Sequence, residues 1–205
     1  MLYPILASLL CVILATANLM AVKMIDVFSL TLPAAVLCYP FAFVVGDLLT
    51  EFYGFRTTRK VVFLAFALNA VSAGFLALAA VLPASRYFQH DAAFRVVFLT
   101  APRILGASFA AFLISGVFNS FVFDYLRRRK IPLLARSSAS TFFGVILDSA
   151  VFISLAFCGV MPARDLLFAI LCQILAKLAI GIGIGAPLTW CVVKKLRAVF
   201  PATRA

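Results

Sequence analysis

Residues 30–53 read LTLPAAVLCYPFAFVVGDLLTEFY, an apolar run interrupted by two carboxylates, Asp47 and Glu51. A spanning helix needs about 20 mostly apolar residues. A charge at its centre costs at least about 2.5–3.5 kcal/mol on insertion scales, so it normally faces a cavity or a partner. The stretch therefore reads as a membrane span that carries polar groups for a purpose. Asp47 and Glu51 stand at i and i+4, hence on one helix face.

The rest of the chain repeats the apolar half of that pattern. Its 205 residues are 65% hydrophobic and 12% charged, with a mean hydropathy of +1.16. A soluble domain is about half apolar and a quarter charged. A soluble chain of this length would bury only about 70–75% of its surface, leaving the apolar excess in water. Composition thus specifies an all-α integral membrane protein and excludes a soluble enzyme, a disordered chain and a secreted disulfide scaffold. Cuts at charge clusters and turn signals predict six spans, about 2–22, 30–53, 61–82, 102–125, 138–160 and 165–193, in a single transmembrane domain over 1–205 with a basic tail from 194. Barrel strands would be half as long and alternate in polarity, and the first span lacks the basic start and small-x-small close of a signal peptide. Residues 92–100 suggest an amphipathic interfacial segment before Pro102, which suits the first turn of span four.

The net charge of +11 is read as an orientation label and as attraction to anionic lipid. With the N-terminus cytoplasmic, twelve basic residues fall inside: Arg56, Arg59, Lys60, the Arg127–Lys130 run, Arg136, Lys194, Lys195, Arg197 and Arg204. Five fall outside (Lys23, Arg86, Arg95, Arg103 and Arg164), and Lys177 stays within the membrane. The positive-inside rule then places both termini in the cytoplasm. The five cysteines are scattered through the spans without a metal-ligand spacing, so they read as small packing residues, and no metal or cofactor is expected. Gly181, Gly183 and Gly185 before Pro187 follow no strand and signify close packing or a pliable segment. Ala17 and Ala21 form a small-xxx-small pair, a weak helix-contact signal.

Five polar groups from five spans fall near one depth. At a rise of ~1.5 Å per residue, Asp47 lies about 13 Å from the basic end of span two, and Asp148 and Lys177 about 18 Å into spans five and six. Asn69 and Asn119 have comparable depth, and Gln173 shares a face with Lys177. A structural alternative pairs Lys177 with Asp148 or Asp47 merely to hold the bundle together, but one lysine cannot neutralise three carboxylates. A polar midplane cavity in a compact bundle is the pattern of a transporter. A channel's charged ring or carbonyl filter is not visible, nor is a nucleophile with its base.

At these residues the sequence resembles the YhhQ-type queuosine precursor transporters of the vitamin uptake transporter (VUT) group. The matching pieces are Ala17-Asn18-Leu19 with Lys23, Tyr39-Pro40-Phe41, Asp47-Leu48-Leu49-Thr50-Glu51-Phe52-Tyr53-Gly54, Arg59-Lys60, Pro102-Arg103-Ile104, Ser108-Phe109, Ser138-Ala139-Ser140-Thr141, Asp148, Phe152, Lys177 and Pro187. The resemblance implies six helices with both termini inside. It also implies a multi-pass carrier in the bacterial cytoplasmic membrane for 7-cyano-7-deazaguanine, 7-aminomethyl-7-deazaguanine or queuine, used in tRNA modification. No nucleic acid is implied as a partner; a homodimer or an unidentified membrane partner stays open. The candidate substrate-binding residues are Asp47, Glu51, Asn119, Asp148, Lys177, Asn18, Arg103 and Ser140. A carboxylate, Asp47 or Asp148, would accept the paired N1–H and 2-amino group. Lys177 or an Asn amide would meet the 6-oxo group, a Phe would stack, and Arg103 would either guide entry or anchor at the interface. Several family members carry Gln and Asp where this chain has Gly116 and Asn119. Three rivals stand beside this carrier: a substrate-binding subunit of a multi-subunit ATP-driven importer, a carrier of another purine-like base, and a non-transporting membrane scaffold.

Overall fold

The structure, a computed structural model, describes residues 2–21, 23–27, 30–99, 102–159 and 162–199. Helix α1 (Leu2–Ala21) buries Leu6, Leu10, Leu14, Ala17 and Ala21, a stripe at helical spacing. Its other face shows Ile5, Leu9 and Val12 to the surroundings. The same inversion holds elsewhere: Phe75, Leu167, Phe168 and Leu175 are exposed, whereas Asp47, Asn119, Ser140, Asp148 and Lys177 are buried. Apolar side chains outside and polar ones inside suit a bilayer, where lipid replaces water as solvent.

Residues expected to open span two adopt another structure. A hairpin of β1 (Met24–Val27) and β2 (Leu30–Pro33) pairs Met24 with Pro33 and Val27 with Leu30. A 3-10 turn, Ala34–Leu37, leads from it to the helix. Ile25, Val27 and Thr31 favour extended backbone, and Pro33 biases Leu32 away from helix. The span therefore begins at Tyr39.

Residues Tyr39–Val81, together α2, are two helices that meet at Gly54, where φ is 75° and ψ 165°. On a straight helix Thr50 and Thr58 would stand about 12 Å apart; here their hydroxyl oxygens are 3.2 Å apart. The chain folds back at Gly54 into two arms, 39–53 and 55–81. Only glycine adopts this positive φ readily. The loop expected between spans two and three shrinks to that residue, and Arg56, Arg59 and Lys60 lie on the second arm's first turns.

Amphipathic α3 (Asp91–Leu99) sits where the interfacial segment was predicted, apart from Thr100, which lies outside the described residues. The bundle is completed by α4 (Pro102–Arg128), α5 (Leu133–Phe157), α6 (Ala163–Ile180) and α7 (Ala186–Val199). A π-helical turn, Gly181–Gly185, joins the last two into one pass. A Cβ on Gly181 would stand 2.8 Å from Thr141 Cγ2, so this glycine brings α6 against α5. Lys194, Lys195 and Arg197 thus extend a helix, while Val22, Val160 and Arg204 fall outside the described residues.

Ring contacts give the helix directions. Tyr3 meets Tyr53, Phe55 meets Phe121, and Phe66 meets Phe109, at 5.3, 5.8 and 5.8 Å. These contacts set α1 antiparallel to the first arm of α2, and the second arm antiparallel to α4. One end of the bundle gathers Arg127, Arg136 and Arg197, with Gly54 close to Arg127; the hairpin caps a cavity towards the other.

Candidate binding site

Three polar clusters are stacked along the bundle. The first lies beneath the hairpin. Lys177 on α6 meets Asp148 on α5, Nζ to Oδ2, at 2.5 Å, with side chains 5% and 1% exposed. Ser115 of α4 donates to the other Asp148 oxygen at 3.2 Å. The Lys177 ammonium stands 4.5 Å from the Tyr39 ring centroid, a cation–π distance. The Tyr39 hydroxyl is 2.6 Å from Ser108 Oγ, which donates to Asn18 Oδ1 at 2.7 Å. Gln173, one turn before Lys177, is buried with its Oε1 unpartnered.

These groups converge on a small cavity roofed by Leu32, Pro33 and Ala35, with Tyr39 and Phe152 in its walls. Its free volume is about 20 Å³. A water needs roughly 10–15 Å³ measured this way, so the site is closed around room for about one. A carboxylate, an ammonium, a free amide acceptor and two aromatic rings nonetheless share it. Such a set is chemically suited to a flat molecule with a polar edge.

The second cluster centres on Asp47 in the first arm of α2. Asn119 Nδ2 donates to Oδ1 at 3.0 Å, Ser137 to Oδ2 at 2.5 Å, and Ser140 to Oδ1 at 3.5 Å. Hydrogen bonds to a carboxylate stabilise its charge without a cation. Asp47 is the one buried carboxylate among the described residues without an ion-pair partner. Asn119 Oδ1 beside it has no partner either.

The third cluster is one turn nearer the basic end. Glu51 binds Arg136 of α5 through one oxygen and Arg197 of α7 through the other. Arg127 of α4 bridges the Glu51 carbonyl and Asp124, each at 3.0 Å. Arg136 also lies over the Phe123 ring, 5.0 Å from its centroid.

The expected single layer is thus three levels. Asp148 and Lys177 come together; Asp47, Asn119 and Ser140 come together; Glu51 stands apart. Asn18 reaches the first cluster only through Ser108, and Asn69 lines a different cavity beside Asn18. Exposed Arg103 donates to the carbonyls of Leu155 and Cys158 at 2.8 and 2.5 Å; it ties α4 to the end of α5 and does not line the cavity. Of the carboxylate surplus over Lys177, Glu51 is paired with Arg136 and Arg197, assigned from sequence to orientation alone, while Asp47 is held by hydrogen bonds. Ser115 and Ser137 were missed for a local reason. A hydroxyl in a helix can satisfy itself on the carbonyl four residues back, as Thr50, Thr58 and Thr189 do.

A family profile described as "Putative vitamin uptake transporter" matches residues 33–192. A Bacillus subtilis (strain 168) protein named "Probable queuosine precursor transporter" is 31% identical over 173 residues, 81% of this chain and 74% of its own length. A Haemophilus influenzae protein of the same name is 32% identical over 143 residues, 69% of this chain and 59% of its own. No solved structure matches. A multi-pass helical bundle with buried polar clusters, matched over most of its length by that profile, the chain belongs to the vitamin uptake transporter family, a family of transporters and not of enzymes.

Proposed function

We propose that the chain imports queuosine precursors (7-cyano-7-deazaguanine, 7-aminomethyl-7-deazaguanine or queuine) across the bacterial cytoplasmic membrane, with both termini cytoplasmic. The observation that carries this reading is the convergence of Asp148, Lys177 and Gln173 between Tyr39 and Phe152. The names of the two relatives support it. The Asp148 carboxylate matches the N1–H and 2-amino edge of a deazaguanine, since one carboxylate accepts both donors side by side. Lys177 then turns to the 6-oxo oxygen, and the two rings enclose the flat base. Without substrate the two charges neutralise each other, which lets an empty carrier close without an uncompensated charge in the membrane. Lifting of the hairpin admits the base; the Asp47 and Glu51 clusters form the barrier towards the basic end, which faces the cytoplasm.

Six helices, small size and the Ala17/Ala21 spacing are also compatible with an importer subunit, but both alanines are buried within this chain. Uptake by the chain alone in liposomes favours a self-sufficient carrier; uptake only with added partner subunits favours the alternative. The substrate test is complementation of bacteria lacking both queuosine synthesis and their own carrier. Each deazaguanine is fed separately and queuosine in tRNA is measured. Rescue by at least one is expected, and rescue by none sinks the substrate class.

A further inference from the structure

A second cavity, of about 160 Å³ free volume, lies between α1, the second arm of α2, α3 and α4. It is eight times the volume beneath the hairpin, and a cavity near 150 Å³ is enough to hold benzene. Its lining includes Asn18, Asn69 and Ser72, with the rings of Phe98 on α3 and Phe109 on α4, and no charged side chain. Asn69 is 7% exposed and makes no side-chain hydrogen bond with any described residue. Its place on the wall of a roomy cavity leaves the carboxamide's donors and acceptor available to a ligand.

We propose that this cavity is an entry site that holds the substrate base by its uncharged lactam edge before it reaches Asp148, an inference that rests on the uptake reading above. A carboxamide offers one acceptor and two donors. It therefore matches the adjacent N–H and C=O of a lactam, as found on a deazaguanine, and has no preference for a charged ligand. The two phenyl rings supply apolar faces for a flat bicycle. Asn18 links this site to the inner one. It lines the outer cavity, while its Oδ1 takes the Ser108 hydroxyl, which lines the inner cavity and contacts Tyr39. Breaking the Asn18–Ser108 bond opens the partition. Helix α3 supplies Val97 and Phe98 as the outer wall.

The test is uptake of radiolabelled 7-aminomethyl-7-deazaguanine, 7-cyano-7-deazaguanine and queuine by the full chain in liposomes, compared for wild type, Asn69→Leu and Ala73→Leu. The first variant removes the carboxamide, and the second fills the cavity from a different position. Each should raise the half-saturation concentration about three- to tenfold, the worth of one or two hydrogen bonds, with the maximal rate within about twofold of wild type. Asn69→Gln, which keeps the amide, should recover most of the loss. Unchanged half-saturation in both variants, or faster uptake as if a lipid chain had been expelled, overturns the entry site and leaves the uptake reading standing. A maximal rate lost together with the unfolding midpoint assigns Asn69 to structure and overturns the proposal. No uptake of any deazaguanine by wild type overturns both.

Discussion

The Asp148 and Glu51 regions each bury a carboxylate against a basic side chain, yet they differ in what surrounds the pair. Asp148 and Lys177 border a cavity with an unpartnered Gln173 amide and two aromatic rings. Glu51 has both oxygens taken by arginines from two other helices, and Arg127 clamps its carbonyl. A buried ion pair by itself is weak evidence of either stability or function, because desolvation offsets most of the attraction. What separates the two is room and spare hydrogen-bonding capacity. The first pair borders the room and the spare acceptor that the proposed ligand needs. The second ties the first arm of α2 to α5 and α7.

The sharpest way to break this contrast is Lys177→Met. Uptake of deazaguanine should fall at least about 100-fold, the effect of losing roughly 2.7 kcal/mol of charge-assisted binding. The double variant Asp148→Asn/Lys177→Met should recover the unfolding midpoint, since no lone charge remains, but not uptake. Recovery of both would make the pair structural and remove the contrast. Glu51→Gln should do the opposite. Leaving Arg136 buried without its partner costs about 3 kcal/mol, the low end of the ~3–5 kcal/mol range for broken buried pairs, because the Arg197 side chain is 61% exposed. Thermal unfolding in detergent measures that loss. The half-saturation concentration of the surviving carrier should stay within about twofold, and a tenfold rise would return Glu51 to the binding site. The smallest effect sharpens the role of the π-helical turn. Gly181→Ala should lower the unfolding midpoint by the equivalent of about 1–3 kcal/mol, the usual cost of overpacking, because its Cβ would press on Thr141. Gly183→Ala meets open space and should leave the midpoint unchanged or raise it.

Much of the contrast was legible in the residues, and the missing part has a physical cause. Depth follows from counting along a helix, so placing Asp47, Asn119, Asp148 and Lys177 inside the bundle required only a rise per residue. Partnership depends on helix rotation and tilt, which counting does not supply. Asp47 and Asp148 looked interchangeable, yet one receives three hydrogen bonds and the other a lysine. Arg136 and Arg197 looked like orientation charges until the fold brought both to Glu51. The hairpin went unseen because an apolar run of 4–8 residues suits either a strand or a buried helix.

The amino-acid sequence alone determined the solvent, the helical class, the family resemblance and the depth of Asp47, Asn119, Asp148 and Lys177, because each depends on composition, local order or motif. Only the tertiary structure decided that the polar set forms three levels, that the turn between spans two and three shrinks to Gly54, and that Asn18 stands between two cavities. Those are contacts between segments distant in the chain, set by how the helices rotate and pack against one another.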